Sequence, residues 1–364
     1  MADYSGDPSE FKVYWFARDL VAASYGSYAT KETGMLRQLS GHLDSTFDDN
    51  SWDGESDLDE QKQLIRDLIT GSVNKMYAGD ISKRYRQTED LVERILRRID
   101  DEDDVREFQI AIDAVVRTSE ILDTTPSYGE DEIVEIVDQT LRTESGGFDP
   151  SKAYDALYNV DFDGEAYQLG AQREPLIDYV HEMMNDLDEE SHIGEKEVAR
   201  IVSGIVQEYE RRAGQSRAST AGNVLETGLQ HIFDRFEIPA TGDPAHFGDL
   251  EIDNMVEGPE GSIGFSCKRT LRERFRQSLS REAEIGVDEV WFVSLLMADV
   301  SREKLEDISN DGSRIYVPRD SFVWNRYHDA DDLSYTLRPA DQFIEDVVEF
   351  TGVESEIGNA DISA

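Results

Sequence analysis

One stretch of the chain limits its fold more than any other. Asp249-Leu250-Glu251-Ile252-Asp253-Asn254-Met255-Val256 alternates polar and apolar side chains, Glu257-Gly258-Pro259-Glu260-Gly261 supplies a turn, and Ser262-Ile263-Gly264-Phe265-Ser266-Cys267-Lys268 returns. This pattern predicts a β-hairpin. A lone hairpin is marginal in water, so it must join a wider sheet. The sequence after it provides one. Leu271 to Ile285 reads as a helix, Glu289 to Leu296 as a buried strand, Arg302 to Ile308 as a helix, Arg314 to Pro318 as a short strand and Pro339 to Phe350 as a closing helix. A helix from Asn223 to Phe236, with Asn223 as its N-cap, precedes the hairpin. The order α-β-β-α-β-α-β predicts an α/β domain built on a mixed sheet flanked by helices.

Upstream the spacing is different. From Phe11 to about Ala213 apolar residues recur every three or four positions, in Leu64–Met76, Leu91–Ile99, Val105–Leu122, Glu132–Leu141, Pro175–Leu187 and Glu195–Tyr209. This predicts a mostly α-helical N-terminal domain. Gly146-Gly147-Phe148-Asp149-Pro150 and Asp161-Phe162-Asp163-Gly164 read as turns, the second without the ligand spacing of a calcium loop. Arg211 to Gly222 is small, basic and free of acids, and reads as a linker or a phosphate-facing approach to the next domain. The expected organisation is a helical domain over 1–210, an α/β domain over 211–353 and a disordered tail over 354–364.

The chain carries 79 Asp and Glu against 36 Lys and Arg, a net charge of -43. With 15 Tyr, 15 Phe and 4 Trp it is a folded protein wearing an acidic coat, since disordered chains of high charge usually lack aromatics. The coat predicts halophilic adaptation, because multimolar salt brings the Debye length below about 3 Å and screens self-repulsion. The single cysteine, Cys267, excludes a disulfide framework and a Cys-rich metal site. The N-terminus lacks a signal-peptide pattern, and the longest mostly apolar run, Val290 to Ala298, is too short to cross a bilayer. A cytoplasmic protein with no membrane partner is expected.

Against that background, Lys268 to Arg281 holds six basic residues and one acid, Glu273. Lys268 is also the one lysine between Lys196 and Lys304. Metal-dependent phosphodiester cleavage needs carboxylates to hold a divalent cation and a cationic group near the attacking water. A hairpin can bring these together, because antiparallel pairing sets the start of one strand (Asp249) against the end of the next (Lys268).

Asp, then a hairpin, then acid-x-Lys resembles the PD-(D/E)xK nucleases. Here Gly248 precedes Asp249, and Ser266 stands where the second acid would be. Glu282, fourteen residues after Lys268, resembles the acid that has migrated to the following helix in one branch of type II restriction endonucleases. Lys268 to Ala283 is similar to the catalytic domain of the EcoRII-like and CCGG-cutting enzymes, through Arg272-Glu273-Arg274, Phe275, Arg276-Gln277 and Glu282-Ala283. Ser216-Arg217-Ala218, Ala221 to Glu226 and Ile315-Tyr316-Val317-Pro318 resemble the same group.

The resemblance implies a restriction-endonuclease-like domain in which Asp249, Glu282 and Glu226 ligate Mg2+ and Lys268 positions water or stabilises the phosphate. It also implies that Arg272, Glu273 and Arg274, beside Arg276, read consecutive C:G pairs. The chemistry agrees, since arginine donates to guanine O6 and N7 and glutamate accepts from cytosine N4. The expected partners are double-stranded DNA, a second copy in a homodimer and a cognate DNA methyltransferase.

Plainer readings compete. Asp249 could be one more surface acid, Glu284 competes with Glu282, and Arg269 to Arg281 could be a solvated helix face paired with neighbouring carboxylates. Lys83-Arg84-Tyr85-Arg86 with Arg94, Arg97 and Arg98 either touches DNA or balances Asp100 to Asp104. His231 and His246 lack metal-ligand spacing, and Cys267 is expected in the core. The expectation is a magnesium-dependent, site-specific DNA endonuclease cutting at a site with CC and GG. The alternatives are a repair or modification-dependent nuclease of the same fold and a DNA-binding protein with a decayed nuclease domain.

Overall fold

The computed structural model describes residues 11–21, 36, 39, 41, 55–76, 81–189, 194–241, 252–259, 261–271, 279 and 287–353. They form two compact units. The first comprises Met1–Pro126 and Leu169–Ser216, the second Ser127–Gln168 and Arg217–Ala364. The units meet in sequence at Pro126/Ser127, Gln168/Leu169 and Ser216/Arg217. Ser127–Gln168, however, groups with the sheet instead of with the N-terminal helices, and the reason is packing. Ile133, Val137, Leu141, Leu157 and Val160 are buried in one cluster with Phe265 and Trp291, and the Tyr154 hydroxyl donates to the carbonyls of Ser294 and Leu295.

The first unit holds α1 (Lys12–Leu20), α2 (Glu55–Met76), α3 (Ile81–Leu96), α4 (Glu102–Thr124) and parts of two long helices. Its core places Phe16 edge-on to Phe108 at 5.2 Å, amid Ile65, Ile95, Val105, Ile112 and Ile201. Asp101 caps α4 in a capping box with Asp104. Asp104 is buried and also accepts from Lys12, while Arg98 and Arg94 pair with Asp19. The acids at the start of α4 are thus balanced by Lys12, and Arg94 and Arg98 by Asp19. The side chains of residues 83–86 lie outside the described residues.

After α5 (Glu130–Leu141) come α6 (Ala153–Glu189) and α7 (Glu195–Arg235). These helices correct two expectations. Asp161-Phe162-Asp163-Gly164 is not a turn but part of α6, because burial recurs at Leu157, Asp161, Gly164, Gln168, Gln172 and Leu176, the spacing of one helical face. Gly164 is there for close approach, since a Cβ would sit 3.4 Å from Tyr128 and Val224. Pro175 lies inside α6, and the nearby carbonyl of Gln172 accepts from the Tyr209 hydroxyl. Arg211 to Gly222 is not an irregular linker either but the middle of α7, where Ala213 is fully buried against Leu176 and Tyr209.

The second unit is built on a six-stranded sheet in the order β1 (Ala240–Thr241), β2 (Asn254–Gly258), β3 (Gly261–Thr270), β4 (Glu289–Leu296), β5 (Arg314–Val317), β6 (Leu337–Pro339). β1, β2 and β3 run antiparallel, and β3 to β6 run parallel, so the sheet is mixed as expected. β4 is buried on both faces, which is why Val290 to Leu295 reads as a nearly continuous apolar run. On one face Phe265, Trp291 and Tyr316 pack with Phe233 of α7 and Phe343 of α10 (Phe343–Thr351). On the other, Ile252, Phe292 and Ile315 pack with Leu305 and Ile308 of α8 (Arg302–Asn310) and Val323 of α9 (Phe322–Tyr327). Among the described residues no helix is long and apolar enough to cross a membrane. The tail over 354–364 lies outside the described residues.

Candidate active site

β3 runs between an antiparallel and a parallel neighbour, but β2 pairs with it only as far as Phe265, so its end is paired with β4 alone. Ile263, Phe265 and Cys267 point into one core; Ser266 and Lys268 point to the other face. Cys267 is the buried core residue expected, and burial raises its thiol pKa. Lys268 is drawn out of water part-way, its side chain 35% exposed.

Its partner is Asp253, which sequence reasoning did not single out. The β2–β3 ladder begins with Asn254 opposite Phe265, and Asp253 just before it donates its N–H to the Phe265 carbonyl at 2.9 Å. The Asp253 side chain thereby enters the end of β3. Its Oδ2 accepts the Cys267 N–H at 2.6 Å, and Lys268 Nζ donates to Oδ1 at 3.0 Å. The Asp253 side chain is only 13% exposed, so its bond to the Cys267 N–H is sheltered from water, whereas the pair is screened from the Lys268 side. Gly264 makes room, since a Cβ there would lie 2.7 Å from Ile252 Cδ1. One signal could have found Asp253: it is an acid at a predicted hairpin strand, fifteen residues before Lys268.

Of the other expected site residues, Glu226 is half-buried on α7, two positions past the buried Val224. Asp249, Glu282, Arg272, Glu273, Arg274 and Arg276 lie outside the described residues, as do Glu284 and His246. His231 is 3.1 Å from Asp138, which also accepts twice from Arg235 at 2.6 Å, so this histidine serves an ion-pair knot between α5 and α7.

Beyond Lys268 the strand continues into Arg269, whose guanidinium meets Asp161 and Glu165 of α6. Burial raises the Asp161 carboxyl pKa, whereas the hydrogen bond from Arg269 lowers that of Glu165. Among the described residues no group of three His, Cys, Asp or Glu is arranged to hold a metal ion. Asp253 alone fits part of a magnesium site, because that ion is commonly held by one or two carboxylates and completed by water and substrate phosphate.

No family model and no curated protein matches the chain. Solved structures similar to it include two of one protein. Metal-depleted Ecl18kI in complex with uncleaved DNA aligns with a TM-score of 0.45 at 15% identity, over 66% of this chain and 85% of that one. Metal-depleted Ecl18kI with uncleaved, modified DNA aligns with a TM-score of 0.47 at 14% identity, over 65% and 82% respectively.

Proposed function

We propose that this protein is a magnesium-dependent, site-specific endonuclease of duplex DNA, of the type II restriction class, acting at a site with CC and GG. One observation carries the reading. A lysine at the end of a central strand meets a poorly exposed aspartate delivered by the preceding hairpin strand, at 3.0 Å, at the start of a basic run in a strongly acidic chain.

In this reading Asp253 joins the carboxylates expected from sequence, Asp249, Glu282 and Glu226, as a ligand of the cation. Magnesium, when bound, would lower the cost of charge on the attacking water and on the five-coordinate phosphorus. Lys268 would hold the attacking water or the phosphate oxygen, with Asp253 fixing its Nζ. The Cys267 N–H keeps the Asp253 carboxylate aimed at the strand end. Arg272, Glu273 and Arg274 would read C:G pairs, with Arg276 beside them.

Cutting both strands takes two such centres, so a homodimer on a palindromic or near-palindromic site is proposed, in the cytoplasm and with a methyltransferase protecting host DNA. The acidic coat suits a halophilic cell. The N-terminal helical unit would build the dimer or grip DNA. The test is to incubate the purified protein with plasmid and magnesium in concentrated potassium chloride and to sequence the ends. Ends sharing one CC/GG-containing sequence support the proposal; random ends or intact plasmid refute it.

A further inference from the structure

Lys268 and Arg269 are neighbours on β3 and leave it on opposite faces. Lys268 meets Asp253, while Arg269 turns to α6, where its Nε lies 3.0 Å from Asp161 Oδ2 and its Nη2 donates to Glu165. The two acids are not equivalent. Asp161 has a side chain only 7% exposed, and its Oδ1 has no hydrogen-bond partner among the described residues. Glu165 is 45% exposed. The inner acid pairs with the guanidinium by charge, while the hydrogen bond goes to the outer one, which is partly in water, where another anion can replace it.

Arg217 of α7 acts on the Glu165 carboxylate as well. The Glu165 carboxylate of α6 is thus held by the arginine that follows Lys268 on β3. A phosphodiester presents the same charge and a similar pair of oxygens to a guanidinium fork.

We propose that Arg269 is a backbone-phosphate contact for duplex DNA, and that in the free protein the Glu165 carboxylate occupies the phosphate's place. This rests on the DNA-cleaving reading above. An acid that vacates its arginine only for a phosphate would suppress binding of the many other anions around a protein in concentrated salt. Such a contact positions DNA and carries no sequence information.

Metal-free binding of a random-sequence duplex, followed by fluorescence anisotropy over a roughly tenfold range of potassium chloride, tests it. Arg269→Ala is expected to flatten the log affinity against log salt slope by about 0.9, the value of one phosphate contact, and Arg269→Lys to restore it. Glu165→Gln is expected to tighten binding several-fold, because the competing anion is gone. An ion pair that only ties α6 to β3 gives the opposite: Glu165→Gln binds no tighter and the slope of Arg269→Ala is unchanged, which overturns the proposal. If Arg269→Ala fails to fold, Glu165→Gln, which keeps both arginines, decides alone. Wild-type protein that binds no duplex at any salt refutes the DNA reading itself; wild-type binding with coincident slopes and affinities refutes only this contact.

Discussion

Replacing Asp253 with Asn separates the chemistry of the site from its architecture. The asparagine is nearly isosteric, and its carbonyl oxygen can still accept the Cys267 N–H, which is 2.6 Å from Oδ2 in the wild type. What disappears is the charge. The pair with Lys268 at 3.0 Å is lost, but the lysine side chain is 35% exposed, so solvent screening limits the stability cost to about 1 kcal/mol. Weakening a charge-assisted hydrogen bond to a neutral one adds roughly another 1 kcal/mol. The variant should therefore fold, with a urea midpoint lowered by an amount matching about 1–2 kcal/mol at unchanged m. Cleavage should respond far more strongly. Removing a cation ligand and the partner that aims the lysine should cost about 3–4 kcal/mol of transition-state stabilisation, or roughly 10²- to 10³-fold in single-turnover rate. Single-turnover cleavage at saturating enzyme, with urea melts on the same preparations, measures both. A rate within about threefold of wild type would refute the reasoning and reduce Asp253 to a strand-pairing residue.

Three further outcomes follow from packing and charge. Tyr154→Phe should lose about 1–2 kcal/mol, because the buried carbonyls of Ser294 and Leu295 lose their shared donor; chemical denaturation of the pure variant measures it. Gly264→Ala forces a Cβ to 2.7 Å from Ile252, beside Asp253, so both stability and cleavage should fall, by about 1–2 kcal/mol in the urea melt. Glu107 in the helical unit is pushed up to about 7, first by burial and then by Glu197 and Asp104. A carboxyl raised on folding contributes stability below its unfolded value that is lost as pH rises through its folded one. Stability should thus fall between about pH 4.5 and 7, by about 1–2 kcal/mol after allowing for partial exposure, and Glu107→Gln should remove that slope from the stability–pH profile.

The sheet was legible because its signals are local. Alternation marked the hairpin, and double burial marked β4 as an apolar run. The start of the first hairpin strand was not, because Asp249 to Asp253 continues the period-two pattern five residues ahead of the ladder, which begins at Asn254. α6 and α7 read as broken segments for a different reason. Asp163-Gly164 and Gly214 to Gly222 are poor helix formers, with glycine in a helix costing roughly 1 kcal/mol each, yet burial of Gly164 and Ala213 against distant residues overrides propensity. Grouping Ser127–Gln168 with the sheet depends on contacts such as Tyr154 with Leu295, 141 positions apart, and no local pattern encodes them.

The most direct test of the central claim is supercoiled plasmid with magnesium and either wild-type protein or Lys268→Ala, in potassium chloride high enough to keep both folded. The account predicts linear product with uniform ends from the wild type and intact plasmid from the variant, which should still bind duplex in the absence of metal. Cleavage that survives in Lys268→Ala would contradict it.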